Sequence, residues 1–188
     1  FATQVYPKTA TNFLLASIIG IVIPAAYILL RYFTKNTIDS KDDLEKLSSA
    51  PIIGFIPNFS ADSNRLVVFD KPRSQISETF RSLRTNIKYI LGEETNEGKI
   101  ILITSSLPNE GKSLISVNVA SIFAISGKKT LLIGYDLRKP ALHKIFGLNA
   151  THGLTSYMVG RYELDDVLQA TEFNNFDVLV AGPVPPNP

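Results

Sequence analysis

From Thr9 to Leu30 the chain carries no charged residue, and the centre of that run reads FLLASIIGIVIPAAYILL. About 20 apolar residues in a helix cross the ~30 Å hydrocarbon layer of a bilayer. A helix buried in a water-soluble domain rarely stays uncharged for so long, so the run predicts one transmembrane helix over residues 12–33. Gly20 and Pro24 are compatible with it, because neighbouring groups in membrane helices re-satisfy the backbone that such residues disturb. A cleaved signal peptide would need an initiating Met, a basic stretch, a shorter apolar core and a small-residue cleavage site. The sequence, opening on Phe1, shows none of that pattern.

Flanking charge sets the orientation. Arg31, Lys35 and Lys41 follow the run and only Lys8 precedes it, so the positive-inside rule predicts a cytoplasmic C-terminal side. Tyr27, Tyr32 and Phe33 would form an aromatic anchor at that interface. Residues 1–11 read as the end of an external domain, 34–50 as a linker with a short helix, and 51–188 as a separate domain. Within the linker, Ser40-Lys-Asp-Asp43 has the pattern of a capping box opening a helix that carries Leu44 and Leu47. The 188 residues include 19 Lys and Arg against 17 Asp and Glu, a net charge of +2 that gives no reason to expect nucleic acid. Without cysteine, neither a disulfide framework nor a thiolate metal site can form.

Beyond residue 50 the pattern alternates. Pro51-Ile-Ile-Gly-Phe-Ile-Pro57 predicts a short strand, and a polar loop follows it. A helix is expected from Ser74 to Leu91, with Ile76, Phe80, Leu83, Ile87 and Ile90 as its buried stripe. Lys99–Thr104 predicts a strand, Ser113–Ile125 a helix ended by Gly127, and Thr130–Ile133 and Phe176–Val180 two further strands. Short helices are expected around 141–146, 154–158 and 164–168. Strands alternating with helices imply an α/β fold: a parallel sheet of the P-loop NTPase type with helices on both faces.

Ser106-Leu-Pro-Asn-Glu-Gly-Lys-Ser113 lies between a predicted strand and a predicted helix. It meets the P-loop pattern G-x-x-x-x-G-K-[ST] except at the first position, where Ser106 replaces glycine. Gly111 lets backbone wrap closely around phosphate, and N–H groups at the helix N-terminus bind its oxygens. Lys112 would reach the outer phosphates, and the Ser113 hydroxyl would ligate Mg²⁺. The expected nucleotide-binding residues are Ser106, Pro108, Asn109, Glu110, Gly111, Lys112, Ser113 and Leu114, with ATP and Mg²⁺ as the ligands. His143 and His152 have no ligand spacing, so no other metal is expected.

Taken in order, several segments resemble the bacterial tyrosine kinases fused to polysaccharide co-polymerases, the BY-kinases. Tyr6-Pro-Lys8 before the apolar run, with Gly20 inside it, resembles the family's entry to its second transmembrane helix. Asp43-Leu-Glu45 followed by Pro51–Pro57 resembles its linker and first strand. Glu78-Thr-Phe-Arg81-Ser-Leu-Arg84 matches its E-x-x-R-x-x-R motif, and Leu131-Leu-Ile-Gly-Tyr-Asp136-Leu-Arg138-Lys-Pro140 stands where it carries the acidic Walker A′ motif. Gly153-Leu-Thr-Ser-Tyr157 and Ala181-Gly-Pro-Val-Pro-Pro-Asn-Pro188 also resemble family segments. The resemblance implies ATP-dependent tyrosine autophosphorylation between subunits of a homo-oligomeric ring in the bacterial inner membrane, with the P-loop domain in the cytoplasm. It implies control of exopolysaccharide or capsule chain length and export, with the export machinery as partner. Glu78, Arg81 and Arg84 would make subunit contacts. Lys112, Asp136 and Arg138 would be catalytic, and Ser113 and Asp136 would hold the metal.

One departure bears on activity. The family's motif has two aspartates separated by one residue; here the first is Gly134. Glycine neither binds a metal ion nor accepts a proton, so weakened or absent phosphotransfer is expected. No Walker B strand ending in Asp and no tyrosine-rich tail occur before Pro188; both are expected downstream in an intact gene. Residues 51–188 therefore read as a kinase domain truncated before Walker B, and this fragment by itself is expected to be inactive. The alternative is a non-catalytic ATP-binding regulator of polysaccharide export. A partition or septum-placement ATPase of the Par/Min type fits less well: those carry a lysine early in the loop, where this chain has Leu107, and lack a membrane span.

Overall fold

The computed structural model describes residues 9–34, 41–59, 65–92 and 98–184. The chain divides into two compact units, Phe1–Pro51 and Ile52–Pro188. Tyr6, Lys8, Lys35, Ser40 and the segment 185–188, named above, lie outside the described residues.

The first unit holds α1 (Thr9–Phe33) and α2 (Lys41–Leu47). Helix α1 is long and apolar enough to cross a bilayer, and every residue of it faces outward. It begins three residues before the expected position 12. Pro24 has no N–H for the Gly20 carbonyl one turn earlier, and its ring meets no Cβ there. The Ser17 hydroxyl donates to the Phe13 carbonyl at 2.9 Å, so its polar group is satisfied within the helix. In α2, Asp42 and Asp43 stand in the first turn, where the helix dipole favours negative charge.

The second unit is a mixed α/β domain of α3 (Val67–Asp70), α4 (Gln75–Leu91), α5 (Lys112–Ile125), β1 (Thr130–Ile133), α6 (Leu142–Phe146), α7 (Leu154–Met158), α8 (Leu164–Val167), β2 (Gln169–Ala170) and β3 (Phe176–Leu179). Its organising element is α5, apolar nearly all round. Val117, Ala120 and Ala124 pack against Phe176, Val178 and Val180 of β3 and the residue after it. Val119 and Ile122 pack with Phe80, Leu83 and Ile87 of α4. On the other face of β3, Leu179 meets Leu154 of α7 and Val167 of α8. Period-two alternation along β3 thus gives the sheet helices on both faces.

Helix α4 starts where Ser74 accepts the Ser77 N–H at 3.2 Å, an N-cap. Phe80, Leu83 and Ile87 of its expected stripe are buried and Ile76 packs beside them, but Ile90 is 56% exposed. Leu91, four residues after Ile87, packs against this core in its place, so the stripe reaches the helix end through Leu91.

Four expectations are corrected. The segment 51–57 forms no strand: Ile53 and Ile56 pack on the α4–α5 core, and the Ile53 carbonyl is taken by Asn86 Nδ2 at 2.7 Å. A side chain replaces the strand neighbour. Residues 99–104 are not a strand either; Ile103 packs inward while Ile100 and Leu102 are 94% and 84% exposed, with no neighbouring strand in the described sheet. The loop expected before α4 contains α3, where Val67 and Val68 are buried. Finally, the sheet is not wholly parallel. Its order is β1-β3-β2, with β1 parallel and β2 antiparallel to β3. The turn from β2 to β3 is too short for a crossover, so it imposes an antiparallel pair.

Candidate phosphate site

The ladder between β1 and β3 continues past the strand ends, with Gly134 N–H donating to the Leu179 carbonyl at 2.8 Å. Asp136 follows at the carboxyl end of β1, the edge where α/β sheets bind ligands. Helix α5 begins at that end too. Its N-cap is Gly111, in the left-handed region at φ 88°, where a Cβ would be strained. Asn109 also has positive φ, 66°, which Asn tolerates better than most residues. Nothing crowds a Cβ position at Gly111, so the loop is open on that side. Lys112 and Ser113 form the first turn of α5 and are half-buried.

The structure joins two of the expected residues: Lys112 Nζ lies 3.6 Å from Asp136 Oδ2. Asp136 Oδ1 accepts the Lys139 backbone N–H at 3.0 Å. That hydrogen bond first, then the Lys112 charge and the Arg138 backbone N–H, hold the carboxyl below its ordinary value against the opposing effect of partial burial. Arg138 therefore contributes backbone to this carboxylate, and its side chain is exposed. Ser106, Pro108, Asn109 and Glu110 are exposed in the loop, and Leu114 is half-buried in α5. Glu110 turns back on the loop: its Oε2 accepts the Leu107 N–H at 3.1 Å.

Gly134 leaves no carboxylate two residues before Asp136. Among the described residues, no three His, Cys, Asp or Glu side chains gather as a metal cluster. Of the residues expected to hold the metal, Ser113 is half-buried in the first turn of α5 and Asp136 lies beside Lys112.

Glu78 and Arg81 pair with each other on α4, and Arg81 Nη2 also donates to the Pro72 carbonyl at 2.7 Å. Arg84 Nε is buried without a hydrogen-bond partner.

Sequence reasoning missed Asn118. It is fully buried in α5, where Oδ1 accepts the Val68 N–H at 2.9 Å. Its Nδ2 donates to the Arg65 and Leu114 carbonyls, both at 2.8 Å. It thereby ties α3 to the first turns of the helix that carries Lys112. A polar residue inside the apolar run Val117-Asn-Val-Ala was the available signal. Also missed was the close pairing of 153–155 with 180–183, where Leu154 and Thr155 N–H groups donate to the Val180 and Ala181 carbonyls at 2.8 and 2.9 Å.

No family model matches the chain. It is 42% identical over 123 residues to the tyrosine-protein kinase YwqD of Bacillus subtilis, covering 65% of this chain and 51% of YwqD. It is 30% identical over 204 aligned positions to the tyrosine-protein kinase Etk of Escherichia coli K12, covering 98% of this chain and 28% of Etk. The solved kinase domain of Escherichia coli Etk superposes with a TM-score of 0.71 at 30% identity, covering 80% of this chain and 63% of that domain. The chain spans about half the length of YwqD and less of Etk.

Proposed function

Because this chain belongs to the bacterial tyrosine-kinase (BY-kinase) family, we propose that it carries the ATP site of a membrane-anchored protein-tyrosine autokinase acting in capsule or exopolysaccharide export. The observation that carries this reading is the approach of Lys112, at the head of α5, to Asp136, which follows β1. The reaction moves the γ-phosphoryl group of ATP to a tyrosine hydroxyl: the bond from the γ-phosphorus to the bridging oxygen breaks, a bond to the tyrosine oxygen forms, and ADP and a proton leave. Little covalent chemistry is asked of the protein, so positioning and charge neutralisation dominate.

Within this reading the N–H groups at the start of α5 hold phosphate oxygens, and Gly111 keeps that approach free of a side chain. Lys112 lies against the outer phosphates, and Asp136 keeps the ammonium aimed at the loop until they arrive. Ser113 and Asp136 are the oxygen donors suited to Mg²⁺, which neutralises phosphate charge when bound. The carboxylate of Asp136, beside Lys112 at the loop, is also the candidate acceptor for the tyrosine proton; the hydrogen bonds that hold it ionised make it a weak base, so its contribution there is positional. Helix α1 anchors the protein in the inner membrane with the α/β unit in the cytoplasm. Glu78, Arg81 and Arg84 face neighbouring subunits in a homo-oligomeric ring, which engages the polysaccharide export machinery.

Gly134 favours a second reading, in which the protein binds ATP and gates export without phosphorylating anything. Incubating the full cytoplasmic region, extended to the natural C-terminus, with labelled ATP and Mg²⁺, beside Lys112→Ala, separates the two. Phosphotyrosine that disappears in Lys112→Ala supports the kinase; ATP binding with no phosphotyrosine supports the regulator; no ATP binding overturns both.

A further inference from the structure

Glu110 stands one residue before Gly111 and is solvent-exposed, yet its side chain is not free in solution. Its Oε2 accepts the Leu107 N–H at 3.1 Å, while Ser105 Oγ donates to the Leu107 carbonyl at 3.0 Å. Both backbone groups of Leu107 are thus taken by side chains, and the loop curls through Asn109 and Gly111, both at positive φ. The carboxylate brings a negative charge into a loop whose cation, Lys112, already lies 3.6 Å from Asp136. Entering phosphate brings further negative charge to the same few residues. Two anions within a few ångströms repel, even in partly solvated surroundings.

Resting on the phosphate-loop reading above, we infer that Glu110 is an internal counter-anion that competes with nucleotide phosphate for the loop. Its carboxylate swings clear of Leu107 as phosphate enters and returns as nucleotide leaves. Glu110 therefore lowers nucleotide affinity and speeds release. Little packing is lost in the swing, because the side chain is exposed. Charge decides the outcome, and the repulsion of a partly screened pair corresponds to about a three- to tenfold change in affinity.

The test is an equilibrium titration of the detergent-solubilised protein with a fluorescent methylanthraniloyl-ATP, followed by a stopped-flow chase with excess ATP. Glu110→Gln keeps an acceptor oxygen for Leu107 but removes the charge, so affinity should rise about three- to tenfold with slower release. Glu110→Ala should also bind more tightly than the parent. Unchanged or weaker binding in both variants, with the parent still binding, would overturn this inference alone. Failure of parent and variants alike to bind nucleotide would overturn the phosphate-loop reading and the inference with it.

Discussion

Leu142 occupies the space that a side chain at Gly134 would need: a Cβ there would stand 3.1 Å from Leu142 Cδ1 and 3.3 Å from the Ala181 amide nitrogen. The position has closed over with hydrocarbon and backbone. Gly134→Asp alone should therefore destabilise the domain by about 1–3 kcal/mol, the usual cost of overpacking. Adding Leu142→Ala removes the closer contact, and the double variant should show ~10²-fold more phosphotyrosine than the parent if position 134 supplies a base. Urea denaturation and labelled-ATP assays read the two effects separately. A single variant as stable as the parent would contradict the packing argument.

Asp136 offers a test by charge. Asp136→Asn should retain nucleotide binding while phosphotransfer falls by ~10²–10⁴, the range of a lost general base. Because its folded pKa is lowered from 3.8, the carboxylate adds stability above that value and loses it as pH falls through the lower folded one. Thermal unfolding followed from about pH 5 down to about pH 2 should show the parent losing more stability than Asp136→Asn. Parallel curves would mean that the Lys139 hydrogen bond and the Lys112 pair do not favour the ionised form.

Asn118→Leu replaces a buried amide with a side chain of similar size. The Val68 N–H then has no acceptor, at a cost of about 1–3 kcal/mol. Chemical denaturation should show that loss, and amide exchange at Val68 should quicken. Equal stability would mean that the bond to Asn118 is replaceable by water.

Gly153 is required by close approach: a Cβ there would lie 2.4 Å from the Val180 carbonyl oxygen and 2.5 Å from the Gly182 nitrogen. Gly153→Ala must push the 180–183 segment away from α7 and break the bonds from Leu154 and Thr155. A loss of about 2 kcal/mol or more is expected in a denaturant titration, within the range for strained backbone sites. Unchanged stability would show that the two segments separate freely.

Much of this was legible in the residues because it is local chemistry. The three-and-four spacing of Phe80, Leu83 and Ile87 fixed the buried face of α4, and Ser74 announced its start. The pairing of Gly111 with Lys112 and Ser113 marked the candidate phosphate loop and located the head of α5. What stayed hidden depends on partners distant in sequence. Whether 99–104 pairs as a strand is decided by neighbouring backbone, not by its own apolar residues. The Asn86 side chain that occupies the Ile53 carbonyl is likewise invisible in the run 51–57. Leu66-Val-Val-Phe69 could have been recognised as apolar, but the Asn118 side chain that takes its Val68 N–H lies fifty residues further along the chain.

Helix α5 belongs to two cores at once, through Val117, Ala120 and Ala124 on one side and Val119 and Ile122 on the other. Neither core can melt while leaving this helix in place, so the second unit should unfold in a single cooperative transition. Any ligand gripping the head of α5 therefore stabilises both halves together, and its release loosens both.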